Sequence, residues 1–166
     1  MDKLPLALMA AGLLSFAVPA SAALSSADRE FVQEAASGGM AEVQAAQLAQ
    51  QRANSQQVKD FASRMITDHT QANTELQQIA QQENITLPSQ PMGKDATAAK
   101  KLNSLNGAAF DKAYSQDQLS DHQQVVALFR KEAGSGQDPA LKAFAQKTLP
   151  ILQQHLQMAQ ALNSKG

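Results

Sequence analysis

The chain has three histidines, His69, His122 and His155, and no cysteine. Each histidine sits in a run of apolar residues at helical spacing: Phe61, Met65, His69, Leu76 in the first, Leu119, His122, Val126, Phe129 in the second, Leu152, His155, Ala159 in the third. A fourth run, Phe31, Ala35, Gly38, Glu42, Ala45, Ala49, carries a carboxylate where an apolar side chain is expected. Imidazole and carboxylate ligands suit transition ions such as Fe, Zn, Mn or Cu. Glu42, His69, His122 and His155 are therefore the candidate metal ligands, with Asp68, Tyr114 and Asp121 as groups that could orient them.

Two readings of this constellation stand at the level of sequence. In one, the exported chain binds a transition metal, in metal handling or stress defence. In the other, buried His and Glu hydrogen-bond one another in a polar layer that fixes helix register, and the protein is a non-catalytic envelope or stress-response component that binds another protein. No motif specifies a reaction, so the chain reads as a non-enzyme; water or oxygen activated at an open metal position is a third, lesser alternative. A Ser-His-Asp arrangement lacks a nucleophile in a recognisable context. Asp68-His69 and Asp121-His122 are not dyads by adjacency, because consecutive helical residues do not face each other. Ferritin-type di-iron bundles use Glu-x-x-His, which none of the three histidines shows, so a ferroxidase is disfavoured.

Four helices must position these residues. The spacing predicts helices over about 26–52, 55–84, 107–133 and 138–163. Ser25-x-x-Asp28 resembles a capping box, Ser55 and Asp138 are N-cap residues, and Pro139 occupies a favoured first helical position. Gly134-Ser135-Gly136 reads as a glycine terminator of the third helix, whose buried face is expected to include Asp117 and Asp121. Pro150 is expected to kink the last helix about one turn before His155. Gly38-Gly39 suggests close approach of another helix. The stretch Asp95 to Leu105 could form a short helix but is treated as part of a long connection. Ser55 to Ala62 parallels Asp138 to Ala145, which supports two αα-hairpins joined by a crossover, with simple up-and-down order as the alternative.

At 1.5 Å rise per residue, Glu42 and His69 lie about 17 and 21 Å from the first hairpin loop, and His122 and His155 about 18 and 26 Å from the second. If a crossover puts the second loop at the far end of a bundle roughly 40 Å long, all four groups fall near mid-height.

Met1-Asp2-Lys3, an apolar run from Leu4 to Val18 and Pro19-Ala20-Ser21-Ala22 have the form of a secretory signal, with cleavage expected after Ala22. Because Asp2 cancels Lys3, an uncleaved N-terminal anchor is the alternative. The expected organisation is a signal peptide over 1–22 and one bundle domain over 23–166, periplasmic or secreted, with no integral membrane segment after cleavage. Without cysteine there is no disulfide, thiolate site or acylated lipoprotein cysteine. A formal net charge of −1 and no basic block argue against nucleic acid as a partner; an envelope protein or a second copy of the chain is the partner class that remains.

Phe61-Ala62-x-x-Met65-x-x-Asp68-His69-x-x-x-Asn73, Phe110-Asp111-x-x-Tyr114 with Asp121-His122, and Phe144-Ala145-x-x-Thr148-Leu149-Pro150-x-Leu152-x-x-His155 resemble the exported bacterial family called domain of unknown function forty-one forty-two. The resemblance runs from about Ser26 to Leu162. It implies an all-α, ferritin-like four-helix bundle and an envelope setting, and assigns no biochemical activity. Members carry the label of predicted outer-membrane proteins, yet helical periodicity throughout does not fit a barrel of alternating strands.

Overall fold

The computed structural model describes residues 24–164, so the signal-peptide assignment and its cleavage point lie outside the described residues. Five helices follow one another: α1 (Ser26–Arg52), α2 (Gln56–Gln82), α3 (Gly93–Asn103), α4 (Gly107–Ser135) and α5 (Pro139–Asn163). The described residues form no strand. Helices α1 with α2, and α4 with α5, make two hairpins, and α1 also packs on α4 and α2 on α5. The four long helices therefore form a bundle of two αα-hairpins joined by a crossover, the ferritin-like arrangement.

The crossover differs from its expected form. The segment read as a connection is an ordered helix, α3, which lies along α1 and touches α4. Side chains of α1 secure it. The Ser37 hydroxyl donates to Asp95 (2.7 Å) and accepts from the Met92 amide (2.9 Å), and the Arg52 guanidinium donates to the carbonyls of Asn103 and Leu105. Gly107, at φ +58°, supplies the left-handed turn that redirects the chain into α4.

Because the crossover runs the length of α1, the two hairpin loops lie at opposite ends of the bundle. Each loop is capped by an aspartate from the other hairpin. Asp111, in the first turns of α4, accepts from the amides of Asn54 (3.1 Å) and Ser55 (2.9 Å). Asp28, in the first turn of α1, accepts from the amides of Gln137 (3.0 Å) and Asp138 (3.2 Å). The chain offset from Asp28 to Asp111 equals that from Ser55 to Asp138 and from Phe61 to Phe144, so the weak repeat is a pseudo-twofold duplication of the hairpin. The hydroxyl of Ser55 makes no cap hydrogen bond, and Asp111 does that work instead. Asp138 does cap α5, accepting from Ala140 and Leu141.

Two boundary expectations change. Helix α2 ends at Gln82, short of Asn84, which adopts φ +56°. Helix α4 runs through Gly134 and Ser135 and stops at Gly136, whose amide bonds the Glu132 carbonyl (2.8 Å). A Cβ on Gly136 would stand 2.7 Å from that backbone carbonyl and 2.3 Å from a Glu132 carboxyl oxygen. Gly136→Ala is therefore expected to destabilise by about 1–3 kcal/mol, read as a lower denaturation midpoint with an unchanged slope. Gly39 meets Asn73 of α2, where a Cβ would lie 2.0 Å from the amide oxygen, and Gly38 has no such neighbour.

The core divides into two apolar halves. One, near the first loop, gathers Ala49, Phe61, Met65, Phe110 and Tyr114. The other, near the second loop, gathers Phe31, Leu76, Phe129, Leu141 and Phe144, where Phe31 and Phe129 meet edge-on at 5.0 Å. Between them lies a polar layer of buried Glu42, His69, Gln118, His122 and His155. Helix α5 continues unbroken through Pro150 just before this layer. Asp117 and Asp121 are half-buried at the edge beneath α3, not in the core, and pair with Lys101 and Lys94. Among the described residues, no helix is long and apolar enough to cross a membrane.

Candidate metal centre

His69 from α2, His122 from α4 and His155 from α5 converge at mid-core. Steps of three and four residues along each helix turn these side chains inward with Met65 and Leu76, with Gln118 and Val126, and with Leu152 and Ala159. Their ring centroids form a nearly equilateral triangle, with separations of 5.8, 5.4 and 5.5 Å. One nitrogen from each ring lies within 4.8 Å of one from each of the others. All three residues are buried, His122 completely.

Hydrogen bonds fix which nitrogen of a ring is free. His122 Nδ1 lies 2.9 Å from the Gln118 carbonyl, so it carries the proton and donates, and Nε2 is left as an acceptor. His155 Nε2 lies 2.8 Å from an Asp68 carboxylate oxygen, so Nε2–H donates and Nδ1 becomes the acceptor. The fully buried ring nitrogens without a hydrogen-bond partner are His69 Nε2, His122 Nε2 and His155 Nδ1. An unpaired buried acceptor costs roughly 1–3 kcal/mol, and each one in a native structure calls for an explanation. Here three share a single layer.

Electrostatics keep these rings neutral. Burial, reinforced by mutual repulsion with His122 and His155, holds His69 well below the ordinary imidazole range. Burial and His155 push His122 down to about 4, outweighing the bond to the Gln118 carbonyl. Burial also lowers His155, although Asp68 pulls the other way. The neutral imidazole is the form that ligates metal.

Glu42 sits on the other flank of His122. One carboxyl oxygen lies 3.8 Å from His122 Nδ1, the protonated edge, and the other accepts from Gln118 Nε2 at 2.6 Å. Burial raises Glu42 to about 8, against the Gln118 bond, with Asp121 and Asp95 adding to the rise. The contact with His122 thus joins two neutral groups and is not an ion pair. The structure brings the three histidines together and leaves Glu42 behind one of them. Of the expected orienting groups, Asp68 of α2 holds His155 of α5 and not its own sequence neighbour His69. Asp121 bonds Lys94, and Tyr114 packs on Phe110 (5.7 Å) and Phe61 (6.2 Å); neither is hydrogen-bonded to a histidine.

Gln118 is the functional residue that sequence reasoning missed. It sets His122 through its carbonyl and Glu42 through its amide. The signal was its place one turn before His122, in line with Phe110 and Tyr114 on the buried stripe.

The chain is matched over residues 14–162 by the model of a family described as Domain of unknown function (DUF4142). It belongs to that family. A crystal structure of a DUF305 fragment from Deinococcus radiodurans is similar to this DUF4142 chain with a TM-score of 0.73 and 11% identity, covering 86% of this chain and 99% of that one. At that identity the likeness is one of fold. No functionally curated protein matches the DUF4142 chain.

The titrating groups oppose one another in the folded protein. Glu42 and Glu132, the latter raised to about 7 by burial and the adjacent Asp28 carboxylate, bind protons more tightly folded than unfolded. Their contribution is full at low pH and is lost as pH rises through those values. The depressed histidines act in the reverse sense and weaken the fold as pH falls below about 6.5. Metal-free protein is expected to be most stable near pH ~6 and to lose about 2 kcal/mol by pH ~8, with Glu42→Gln flattening the decline. Urea titrations across that range measure it.

Proposed function

We propose that this protein is an exported envelope protein that binds one transition-metal ion through His69, His122 and His155, in metal handling or stress defence. The observations that carry the reading are that one nitrogen from each of the three buried, neutral rings lies within 4.8 Å of the others, and that each ring has a buried nitrogen without a hydrogen-bond partner. Nitrogens 4.8 Å apart stand about 2.8 Å from their common centre, so reaching the usual 2.0–2.1 Å needs ring movements below about 1 Å. The donor set is three imidazoles, which suits zinc, copper or iron and favours none of them by geometry alone. The signal-like N-terminus supports export, because Leu4 to Val18 followed by Ala20-Ser21-Ala22 is the form that signal peptidase accepts.

The decisive measurement is calorimetric titration of untagged, metal-free mature protein with Zn²⁺, Cu²⁺, Fe²⁺ and Mn²⁺. One equivalent is expected to bind, and affinity no higher than that of the His69→Ala/His122→Ala/His155→Ala variant would refute the reading. Asp68→Asn should weaken binding about 10–100-fold while leaving the stoichiometry unchanged, because the carboxylate fixes the His155 tautomer and raises its basicity.

A further inference from the structure

The two hairpin corners are copies of each other, and one carries an extra carboxyl. The offset that relates Asp28 to Asp111 also relates Ala49 to Glu132 and Ala53 to Gly136. At the first corner the Ala53 amide donates to the Ala49 carbonyl (3.0 Å), as the Gly136 amide donates to the Glu132 carbonyl at the second. Ala49 and Ala53 are both buried. The second corner has in their place an acid only 4% exposed and a glycine that leaves room for it, since a Cβ at 136 would stand 2.3 Å from Glu132 Oε1. The first corner closes with an aspartate cap and two alanines, so closing a corner of this fold does not require the acid.

Glu132 lies in the last turn of α4, where the negative end of the helix macrodipole disfavours a carboxylate. Its Oε1 is buried without a hydrogen-bond partner, and its carboxyl stands against that of Asp28. Asp28, 1% exposed, lies in the first turn of α1, which favours a carboxylate, and it accepts from the Gln137 and Asp138 amides of the corner. Two adjoining carboxyls resist ionising together, and these surroundings assign the proton to Glu132. Asp138, at the N-cap of α5, adds negative charge, which Lys131, exposed on α4, offsets only in part. The other cations of this end turn to carbonyls, Arg29 to that of Leu24 and Lys142 to that of Gly134.

We propose that Glu132 is a proton-operated latch on the second corner: as a neutral acid it donates its O–H to the Asp28 carboxylate and holds α1 against the α4–α5 loop, and once ionised it repels Asp28 and releases the loop. The proton passes to solvent, and no other covalent bond changes. Because Asp28 also holds the Gln137 and Asp138 amides, its displacement unfastens both. The first corner, with alanine at the matching place, stays closed. The latch is independent of metal at the histidines.

Burial and Asp28 raise Glu132 to about 7, so its contribution is full in acid and is lost as pH rises through that value. Opening of the second corner should therefore increase about tenfold between pH ~6 and pH ~8. Hydrogen exchange of the Gln137 and Asp138 amides in the mature protein, corrected for the intrinsic rate at each pH and compared with Asn54 and Ser55, measures it. Opening of the whole bundle moves both pairs together, whereas the latch moves the second pair alone. Glu132→Gln keeps a donor for Asp28 and should hold the protection seen at pH ~6 at both pH values. Glu132→Ala/Gly136→Ala, which copies the first corner, should remove the pH dependence too and serves if the glutamine variant does not fold. An equal response at the two corners, including none at either, overturns the latch, as does a second-corner response that survives in these variants.

Discussion

Saturating metal is expected to raise the melting temperature of the mature protein by about 8–16 °C. At a free ion concentration a thousandfold above Kd, an ion that binds only the folded state adds about 4 kcal/mol, and each kcal/mol moves Tm by roughly 2–4 °C in a domain of this size. The folded state has the preformed donor set because His69, His122 and His155 come from three different helices, and unfolding disperses them. Any single His→Ala substitution should remove most of the shift, since two imidazoles remain where three were needed. A scan of wild type and the single variants with and without Zn²⁺ measures this directly. Equal shifts in wild type and the triple alanine variant would place binding elsewhere on the chain.

The second large effect has the opposite sign in the metal-free protein. His122→Leu is expected to stabilise the apo bundle by about 1–3 kcal/mol while abolishing the metal-dependent shift. His122 is wholly buried and its Nε2 has no partner, so leucine removes an unpaid polar burial and restores apolar contact beside Phe61. The lost Nδ1 bond leaves nothing stranded, because the Gln118 carbonyl still accepts the backbone amide one turn on within α4. Glu42 keeps its bond from Gln118. A bundle whose histidines served only as a structural layer would also keep its fold with leucine at 122, so the two readings part at the metal: wild type would then show no metal-dependent shift for the variant to lose. Chemical denaturation of the two proteins with and without Zn²⁺ measures both effects, and a loss of apo stability in the variant would count against the expected gain.

This pattern, a site that weakens the fold until it is filled, agrees with how the core is divided. Two apolar halves flank the histidine layer, and neither needs that layer to be polar. The reciprocal aspartates at the two loops fix the register of the hairpins independently of the centre. Asp28 shows how far such a cap departs from its surroundings. Burial alone would raise its carboxyl, yet the amides of Gln137 and Asp138 and the Ser25 hydroxyl outweigh that and hold it below the ordinary carboxylate range.

The sequence by itself determined the all-α class, the four long helices and the inward direction of each histidine, because amphipathic periodicity and capping are local and repeat every turn. It also determined that the three imidazoles would share a level once a crossover was assumed, since helical rise is constant. Membership in DUF4142 was legible in the motifs around Asp68-His69, Asp121-His122 and His155. Only the tertiary structure decided the rest. Which helix stands beside which is set by packing across the bundle, and that placed Asp68 against His155 instead of His69 and left Glu42 behind His122. The His155 tautomer follows from its cross-helix partner Asp68, while that of His122 is set by the Gln118 carbonyl one turn back on its own helix. Periodicity places a residue on a face, but a ligand set requires atoms from several faces to meet at one point, and that is a property of the packed bundle.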